Sequence, residues 1–388
     1  MRYKFGTFIL DPKQHSLTKS DVAIAIEPKV FDLLHLLVAN SGELVSHDQL
    51  IAEVWQGRIV SDSAISACVA AARRAVGDDG QRQAIIQTVA RRGFKCCAPV
   101  EIEQTADRQN AKSRPPKLQF TKNREHKTLA YALAGEGPPI MYTTFAGTSI
   151  ESDWSSPFFR PLFDALCAQN TLVRFDGIGW GQSELEMASA GVEAVAYDML
   201  SVADAAGLDR FGVFSQSGSA LSAVFLAAHY PDRVSALVLN GGYAEGRNLR
   251  PETSGTQQML GMISEAWDKP DSSFLLAYSL LYFPEGPLDL AKDVVEIMNK
   301  SCPAENMLRT RQALYDASVV DLLPKVQCPT LIVHARKDPI HPLTQARKLA
   351  TGIPNSELLV LDSSNHLPMP YCADWDAFLE ATISHLNA

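Results

Sequence analysis

The feature that most constrains this chain is a change of pattern across one polar segment. Glu101 to Lys117 reads EIEQTADRQNAKSRPPK, with a proline pair and no hydrophobic period, and strongly patterned apolar sequence lies on both sides of it. A length of 388 residues also exceeds what a single ordinary core organises. The break therefore predicts two domains, residues 1–100 and 119–388, joined by a linker over 101–118. Hydrophobic residues make up 46% and charged residues 20%, with no biased tract, so both parts are expected to pack cores. No internal repeat is present, which excludes a solenoid.

A formal net charge of −9 excludes a protein that coats nucleic acid by overall attraction, yet leaves room for a local basic face. Residues 1–100 carry about two more basic than acidic side chains, so the negative charge belongs to the remainder. The seven cysteines form no CxxC pair and no His/Cys cluster at zinc spacing, which predicts reduced thiols and no metal or other cofactor. The opening MRYKFGTFILDPKQ lacks a long apolar region, and no window reaches the ~18 apolar residues of a membrane helix. A cytoplasmic protein without a membrane anchor is expected.

Ahead of the linker, Tyr3 to Leu10 and Val22 to Ile26 read as short strands, and three helical patterns follow. The first opens at Pro28 and turns Val30, Phe31, Leu34, Leu37 and Val38 to one face. The second starts at Ser46 with a Ser-x-x-Gln capping box to Gln49. The third, Ser61 to Val76, buries Ile65, Val69, Ala72 and Val76. Two apolar strands, Ile85 to Val89 and Phe94 to Cys97, then face each other across Ala90 to Gly93. This order predicts an α+β winged helix-turn-helix. The outward face of the third helix collects Ser63, Ser66, Ala67, Ala70 and Arg74, with Arg73 at its margin; Arg91 and Arg92 sit at the hairpin tip. Short side chains permit close approach to the major groove, and guanidinium groups suit guanine edges and phosphates. Double-stranded DNA is thus the expected partner.

The stretches EPKVFDLLHLLVANSGELVSHDQLIAEVW, VSDSAISACVAAARRAVGDD and IIQTVARRGF cover nearly all of residues 1–100 and resemble the OmpR/PhoB-type effector domain, in particular its CadC-like branch. The resemblance implies that the third helix reads DNA, that Arg91 to Gly93 is the wing turn, and that the protein binds as a homodimer on repeated half-sites. Ala70 and Ala71 stand where such domains often carry basic or polar residues, which implies fewer base contacts.

After the linker, short apolar strands alternate with helices, the signature of a mostly parallel sheet covered on both faces. Strands are predicted at 140–144, 171–175, 211–214, 236–240, 330–334 and 358–361. From Gly246 to about Pro324 the alternation stops and Met-rich helical stretches appear, which predicts an inserted helical cap. Within FGVFSQSGSALSAVFLAAHYPDRVSALVLNGG, a strand runs through a tight turn of small residues into a helix, placing Ser217 at the apex of a nucleophile elbow. Ser215 and Ser219 replace the glycines of the usual G-x-S-x-G form. Asp338 follows the strand TLIVHA and His366 follows ELLVLD, so the order Ser, Asp, His is that of a hydrolase triad. The backbone N–H of Gly218, with one from Phe145 or Ala146, would form the oxyanion hole. His341 reads as surface or pocket lining. Met259, Met262, Tyr282 and Phe283 are the candidate pocket residues of the cap, adaptable and apolar.

Together with ESDW, RFDGIGWGQSE, NGGYAEGR and VQCPTLIVHARKD through SSNHLPM, these motifs resemble α/β-hydrolase domains of the kind fused to bacterial regulators. The resemblance covers about residues 120–388 and implies a sensor or hydrolase of a small ester, lactone or related acyl-like molecule. Three functional readings stay open: a soluble one-component transcription regulator with a ligand-sensing hydrolase fold, an active esterase or lactonase with an accessory DNA-binding domain, and an interaction module with a dead triad.

Overall fold

A computed structural model describes residues 2–12, 16–19, 22–24, 26–55, 60–90, 92–103, 115–144, 147–251, 256–267, 269, 273–370 and 372–388. The chain divides into two compact units, Met1–Arg114 and Pro115–Ala388.

In the first unit, strands β1 (Arg2–Phe5), β2 (Phe8–Asp11), β3 (Ser16–Lys19) and β4 (Val22–Ile24) form an antiparallel meander. The sequence reading of one strand over Tyr3 to Leu10 gives way to a hairpin, because Gly6 takes a φ of +58° and turns the chain. Next come α1 (Pro28–Ala39), β5 (Leu44–Ser46), α2 (His47–Trp55), α3 (Asp62–Ala75), β6 (Ile86–Val89), β7 (Gly93–Cys96) and β8 (Val100–Glu103). Strand β8 pairs with β1, so Glu101, Ile102 and Glu103 extend this sheet instead of starting a linker. Strands β5, β7 and β6 form a second small sheet. Ser46 Oγ accepts the Gln49 N–H at 3.2 Å and Ser61 Oγ accepts the Ala64 N–H at 3.3 Å, capping α2 and α3. The helices bury Phe31, Leu34, Leu37, Leu50, Ile65 and Val69 against Phe5, Leu10 and Phe94.

One polar pair ties α3 to the hairpin. Asp78, just past the helix, accepts backbone N–H groups from Asp79, Ala84, Ile85 and Ile86. Arg73 donates to the Ile86 carbonyl through Nε at 3.0 Å and Nη2 at 2.8 Å, and to Thr88 Oγ1 at 2.8 Å. Arg73 is only 9% exposed, so its place at the margin of the outward face, among the candidate DNA contacts, is corrected: its guanidinium is used internally to fix the hairpin.

The second unit is built on an eight-stranded sheet, ordered β16-β15-β14-β13-β11-β12-β10-β9. Its elements in chain order begin with β9 (Gln119–Lys122), β10 (Thr128–Ala134), β11 (Pro139–Thr143), α4 (Ile150–Ser155) and α5 (Arg160–Cys167). They continue with β12 (Thr171–Phe175), α6 (Val192–Ala205), β13 (Phe211–Gln216), α7 (Ser219–His229) and β14 (Val234–Asn240). Four helices follow, α8 (Thr256–Ala266), α9 (Ser273–Tyr282), α10 (Leu288–Ser301) and α11 (Ala304–Tyr315), before β15 (Thr330–Ala335), α12 (Leu343–Gly352), β16 (Ser356–Leu361) and α13 (Trp375–Leu386). Strands β9 and β10 are antiparallel additions at one edge; the other six run parallel. One face packs α6, α7 and α12, the other α5 and α13, and both bury near-continuous apolar strands such as β13 and β15. Helices α8 to α11 are the inserted cap. They reach the C-terminal strand ends through the His366 N–H, which donates to the Tyr282 carbonyl, and through Asn306, which donates to the Gly179 carbonyl. All seven cysteines are free, and no helix among the described residues is long and apolar enough to cross a membrane.

The two polar anchors of α3 give a test. Arg73→Ala should cost about 1–3 kcal/mol of local stability, read as faster hydrogen exchange at Ile86–Val89 and Gly93–Cys96, whereas Arg74→Ala should leave that exchange unchanged. Asp78 is held below the ordinary carboxylate range: burial opposes its ionisation, but the four backbone N–H bonds outweigh it. With a depressed folded pKa, its contribution is fully present above the unfolded value of 3.8 and fades as pH drops through the folded one.

Candidate functional site

Between β13 and α7 the chain makes its sharpest turn. Ser217 has a φ of +54°, a left-handed conformation that an L-residue adopts only when its surroundings enforce it. Three hydrogen bonds do so. The Ser217 N–H donates to the Asn240 carbonyl at the end of β14, 2.9 Å away. Thr143 Oγ1 at the end of β11 donates to Ser215 Oγ at 2.9 Å, and Ser219 Oγ donates to the Thr144 carbonyl. The last two bonds explain why serines stand in place of the usual glycines, since both hydroxyls find partners on β11 and the residue after it. Gly218 leaves little room for a side chain, since a Cβ there would lie 2.9 Å from the tip of Leu314 and 3.3 Å from the Tyr243 hydroxyl, so one of them would have to shift. It starts α7, whose first N–H groups lack intrahelical partners and face negative charge favourably. Phe145 and Ala146 lie outside the described residues.

Asp338 sits three residues beyond β15. Its Oδ1 accepts the N–H groups of Ile340 at 2.7 Å and His341 at 3.1 Å, and Oδ2 accepts Nδ1–H of His366 at 2.7 Å. His334 Nε2 lies 3.5 Å from the same Oδ2 and donates to the His341 carbonyl at 2.9 Å. Burial works against charge on Asp338, but His366, His334 and the His341 N–H hold its carboxyl below the ordinary range. With Nδ1 donating, the lone pair of His366 is on Nε2, which is buried and has no hydrogen-bond partner among the described residues.

The end of β14 brings elbow and imidazole together. Gly241 follows Asn240, which holds Ser217, and a Cβ on Gly241 would fall 2.8 Å from His366 Cε1. Ser217 Oγ and His366 Nε2 are not hydrogen-bonded here; in ligand-free sites such bonds commonly tighten on binding. Ser217, Gly218, Tyr243, Met259, Tyr278, Tyr282, Arg311, Tyr315 and His341 line one cavity of about 50 Å³. The rings of Tyr282 and His341 pack on His366 at 5.4 and 5.3 Å.

Two cap assignments are corrected. Met262 is 44% exposed on the outer side of α8, and Phe283 is fully buried in the core, edge-on to Phe158 at 4.8 Å. His341 is buried lining: its burial first, then the charges of His366, Arg250 and Arg247, hold its pKa well below the ordinary value and keep it neutral. Its Nδ1 accepts from Arg250 Nη1 at 3.1 Å. Sequence reasoning missed Tyr243, Arg247, Arg311 and Tyr315. Arg311 and Tyr315 are one helical turn apart on α11, a signal that would have placed both on one face. A larger cleft, about 890 Å³, borders the cavity at Gly218 and Leu314 and is lined by Trp180, Tyr197 and Phe225. Ser217 lines the smaller space and not this one.

On the first unit, Ser63, Ser66, Ala67 and Arg74 are exposed along α3 and Ala70 is half-buried; Arg92 is exposed at the hairpin. Arg91 lies outside the described residues.

A winged helix followed by a parallel sheet with a serine elbow and an Asp–His pair defines a DNA-binding domain joined to a hydrolase fold. Residues 21–96 match the family described as "Transcriptional regulatory protein, C terminal", the OmpR/PhoB-type winged helix, and residues 140–371 match "alpha/beta hydrolase fold". The chain belongs to the α/β-hydrolase fold family. It is similar to RutD of Klebsiella pneumoniae, a candidate carbamate hydrolase, with 30% identity over 208 residues, 52% of this chain and 76% of that protein. It is also similar to a 2-hydroxy-6-oxononadienedioate/2-hydroxy-6-oxononatrienedioate hydrolase of Pseudomonas putida, 28% identical over 61% of this chain and 85% of that protein. Among solved structures, the enol-lactonase of Burkholderia xenovorans shares the fold at a TM-score of 0.53 and 22% identity, over 70% of this chain and all of that one.

The contact under His366 makes Gly241→Ala a sensitive probe. The added methyl is expected to displace the imidazole and lower the rate of fluorophosphonate labelling at Ser217 by about tenfold or more, while labelling of a Gly261→Ala control, with open space around its Cβ, stays at the wild-type rate.

Proposed function

We propose that the chain is a one-component transcription regulator that binds duplex DNA through α3 and the β6–β7 hairpin and takes a small ester, lactone or related acyl compound at Ser217. The observation that carries this reading is the 2.7 Å Asp338–His366 bond beside a serine held at φ +54°, in a chain that begins with a winged helix. The names of the relatives, a candidate carbamate hydrolase and a hydrolase of oxo-dienedioates, support an acyl-type electrophile as ligand.

In this reading His366 Nε2 removes the Ser217 proton as Oγ attacks the acyl carbon. Asp338 holds the Nδ1–H tautomer and stabilises the imidazolium. The oxyanion is received by the Gly218 N–H and a second N–H from the Phe145–Ala146 segment. Collapse expels the alcohol, which takes its proton from His366, and water then repeats the sequence to release the acid. Occupancy of the site changes DNA binding because the ligand favours one arrangement of the protein over another. The same reading has the protein act in the cytoplasm as a homodimer on paired half-sites.

Purified wild type is expected to hydrolyse p-nitrophenyl acetate and to label with a fluorophosphonate, and Ser217→Ala to do neither; a wild type that fails both sinks the catalytic steps and leaves a binding sensor. On duplex DNA, Arg74→Ala should reduce the dependence of log K on log salt by about one unit. An unchanged slope would remove Arg74 from the interface.

A further inference from the structure

We infer that the cavity beside Ser217 holds a carboxylate of the ligand against Arg311, so that the acyl compound taken up here is an anion. This rests on the assignment of the Ser217 cavity as the ligand site and goes on to name the ligand's charge class.

Arg311, on cap helix α11, is 8% exposed, and its Nε and Nη2 are buried with no hydrogen-bond partner among the described residues. Tyr278, Tyr282 and Tyr315 line the cavity with it, and the guanidinium lies 5.8 Å from the centre of the Tyr278 ring. Tyr282 gives the guanidinium a hydrogen-bond partner, but a neutral phenol supplies no counter-charge, and the Tyr278 and Tyr282 hydroxyls are 2.9 Å apart and bonded to each other. Among the described residues no aspartate or glutamate lines the cavity, whereas a second cation, Arg247, does. The nearby carboxylates are committed elsewhere: Asp338 to His366 and two backbone N–H groups, Glu245 to Lys348.

The same fold shows what it does with a buried arginine that serves structure. Arg174 is as deeply buried and is matched by Asp153 at 2.8 Å. Among the described residues, Arg311 has no carboxylate partner. A buried guanidinium without a counter-charge is strongly unfavourable, and its retention next to a candidate nucleophile is accounted for if the ligand supplies the anion. Size agrees. A volume of about 50 Å³ accepts a carboxylate-sized group and not a whole ligand. The remainder passes Gly218 and Leu314 into the adjoining cleft of about 890 Å³.

The test uses the full-length chain carrying Ser217→Ala, so that nothing turns over, and titrates it calorimetrically with monomethyl glutarate and with dimethyl glutarate. The anionic monoester should bind at least about tenfold more tightly than the neutral diester. Adding Arg311→Met should erase that preference and Arg311→Lys should keep part of it. Equal affinities, binding of neither ester, or a preference that survives Arg311→Met overturns the inference. The melting temperature supplies an independent reading: Arg311→Met should match or exceed its parent, because a buried charge without a counter-charge has been replaced by an apolar side chain. A marked drop would make the guanidinium structural and would also overturn it. Because binding is read without turnover, a failed esterase assay with an intact anion preference removes only the catalytic steps, and the reverse pattern removes only the carboxylate.

Discussion

Ser217 sits in a backbone conformation that costs about 1–2 kcal/mol for an L-residue, and the rest of the hydrolase unit is arranged so that it has no alternative. Its N–H is taken by β14, and the serines on either side of it are tied to Thr143 and Thr144 at the end of β11. These bonds, at about 0.5–1.5 kcal/mol each, are of the size needed to offset the strain. They also make the elbow depend on the register of the three central strands, since a slip of one residue would move Thr143 or Asn240 away from it. Ser219 adds a consequence of its own. Its bond to Thr144 joins the elbow to the segment that carries Phe145 and Ala146, so the nucleophile and the loop expected to help hold its oxyanion share one anchor.

Around that anchor the electrostatics separate into two zones. Asp338 is surrounded by His366, His334 and backbone N–H groups, which hold it ionised despite burial. On the other side lie Arg247, Arg250 and Arg311, and the charges of Arg250 and Arg247 add to burial in keeping His341 neutral. His366 lies between a fixed anion and a region biased towards cations. An arrangement of that kind favours negative charge developing at the serine and resists a second protonated imidazole next to the first. It is also out of balance as it stands, because among the described residues Arg311 has no counter-charge of the sort Arg174 receives. Folded chains tolerate such imbalance mainly where a ligand or a reaction completes it.

How much of this could be read from the sequence depended on whether order along the chain or packing in space carried the information. The placement of Ser217, Asp338 and His366 at strand ends was legible because each follows an apolar strand of the parallel sheet, β13, β15 and β16, with β14 between the first two. The cap was legible as an insertion and illegible in detail: Met259 and Met262 differ by three residues, yet one reaches the cavity and the other reaches solvent. Helical period cannot separate them without knowing what α8 packs against. Arg73 was misplaced for the same reason. A long side chain at the margin of an amphipathic helix can turn either way, and the carbonyl of Ile86 decided it. Strand β8 went unseen because VEIE looks like polar linker until β1 offers it an edge.

The cavity also bears on how a bound ligand could be felt beyond its own site. Its walls come partly from the core, through Ser217, Gly218, Tyr243 and His341, and partly from three cap helices, through Met259 of α8, Tyr278 and Tyr282 of α9, and Arg311 and Tyr315 of α11. A ligand that satisfies Arg311 while contacting the elbow therefore bonds cap to core. Any arrangement of the cap that lets both contacts form is favoured by the free energy of the added contact, each tenfold in relative affinity being about 1.4 kcal/mol. A ligand touching only the core would bind without shifting that equilibrium. The guanidinium without a counter-charge is thus the feature that would convert occupancy into a preference of conformation, which a hydrolase needs only for catalysis and a regulator needs for its signal.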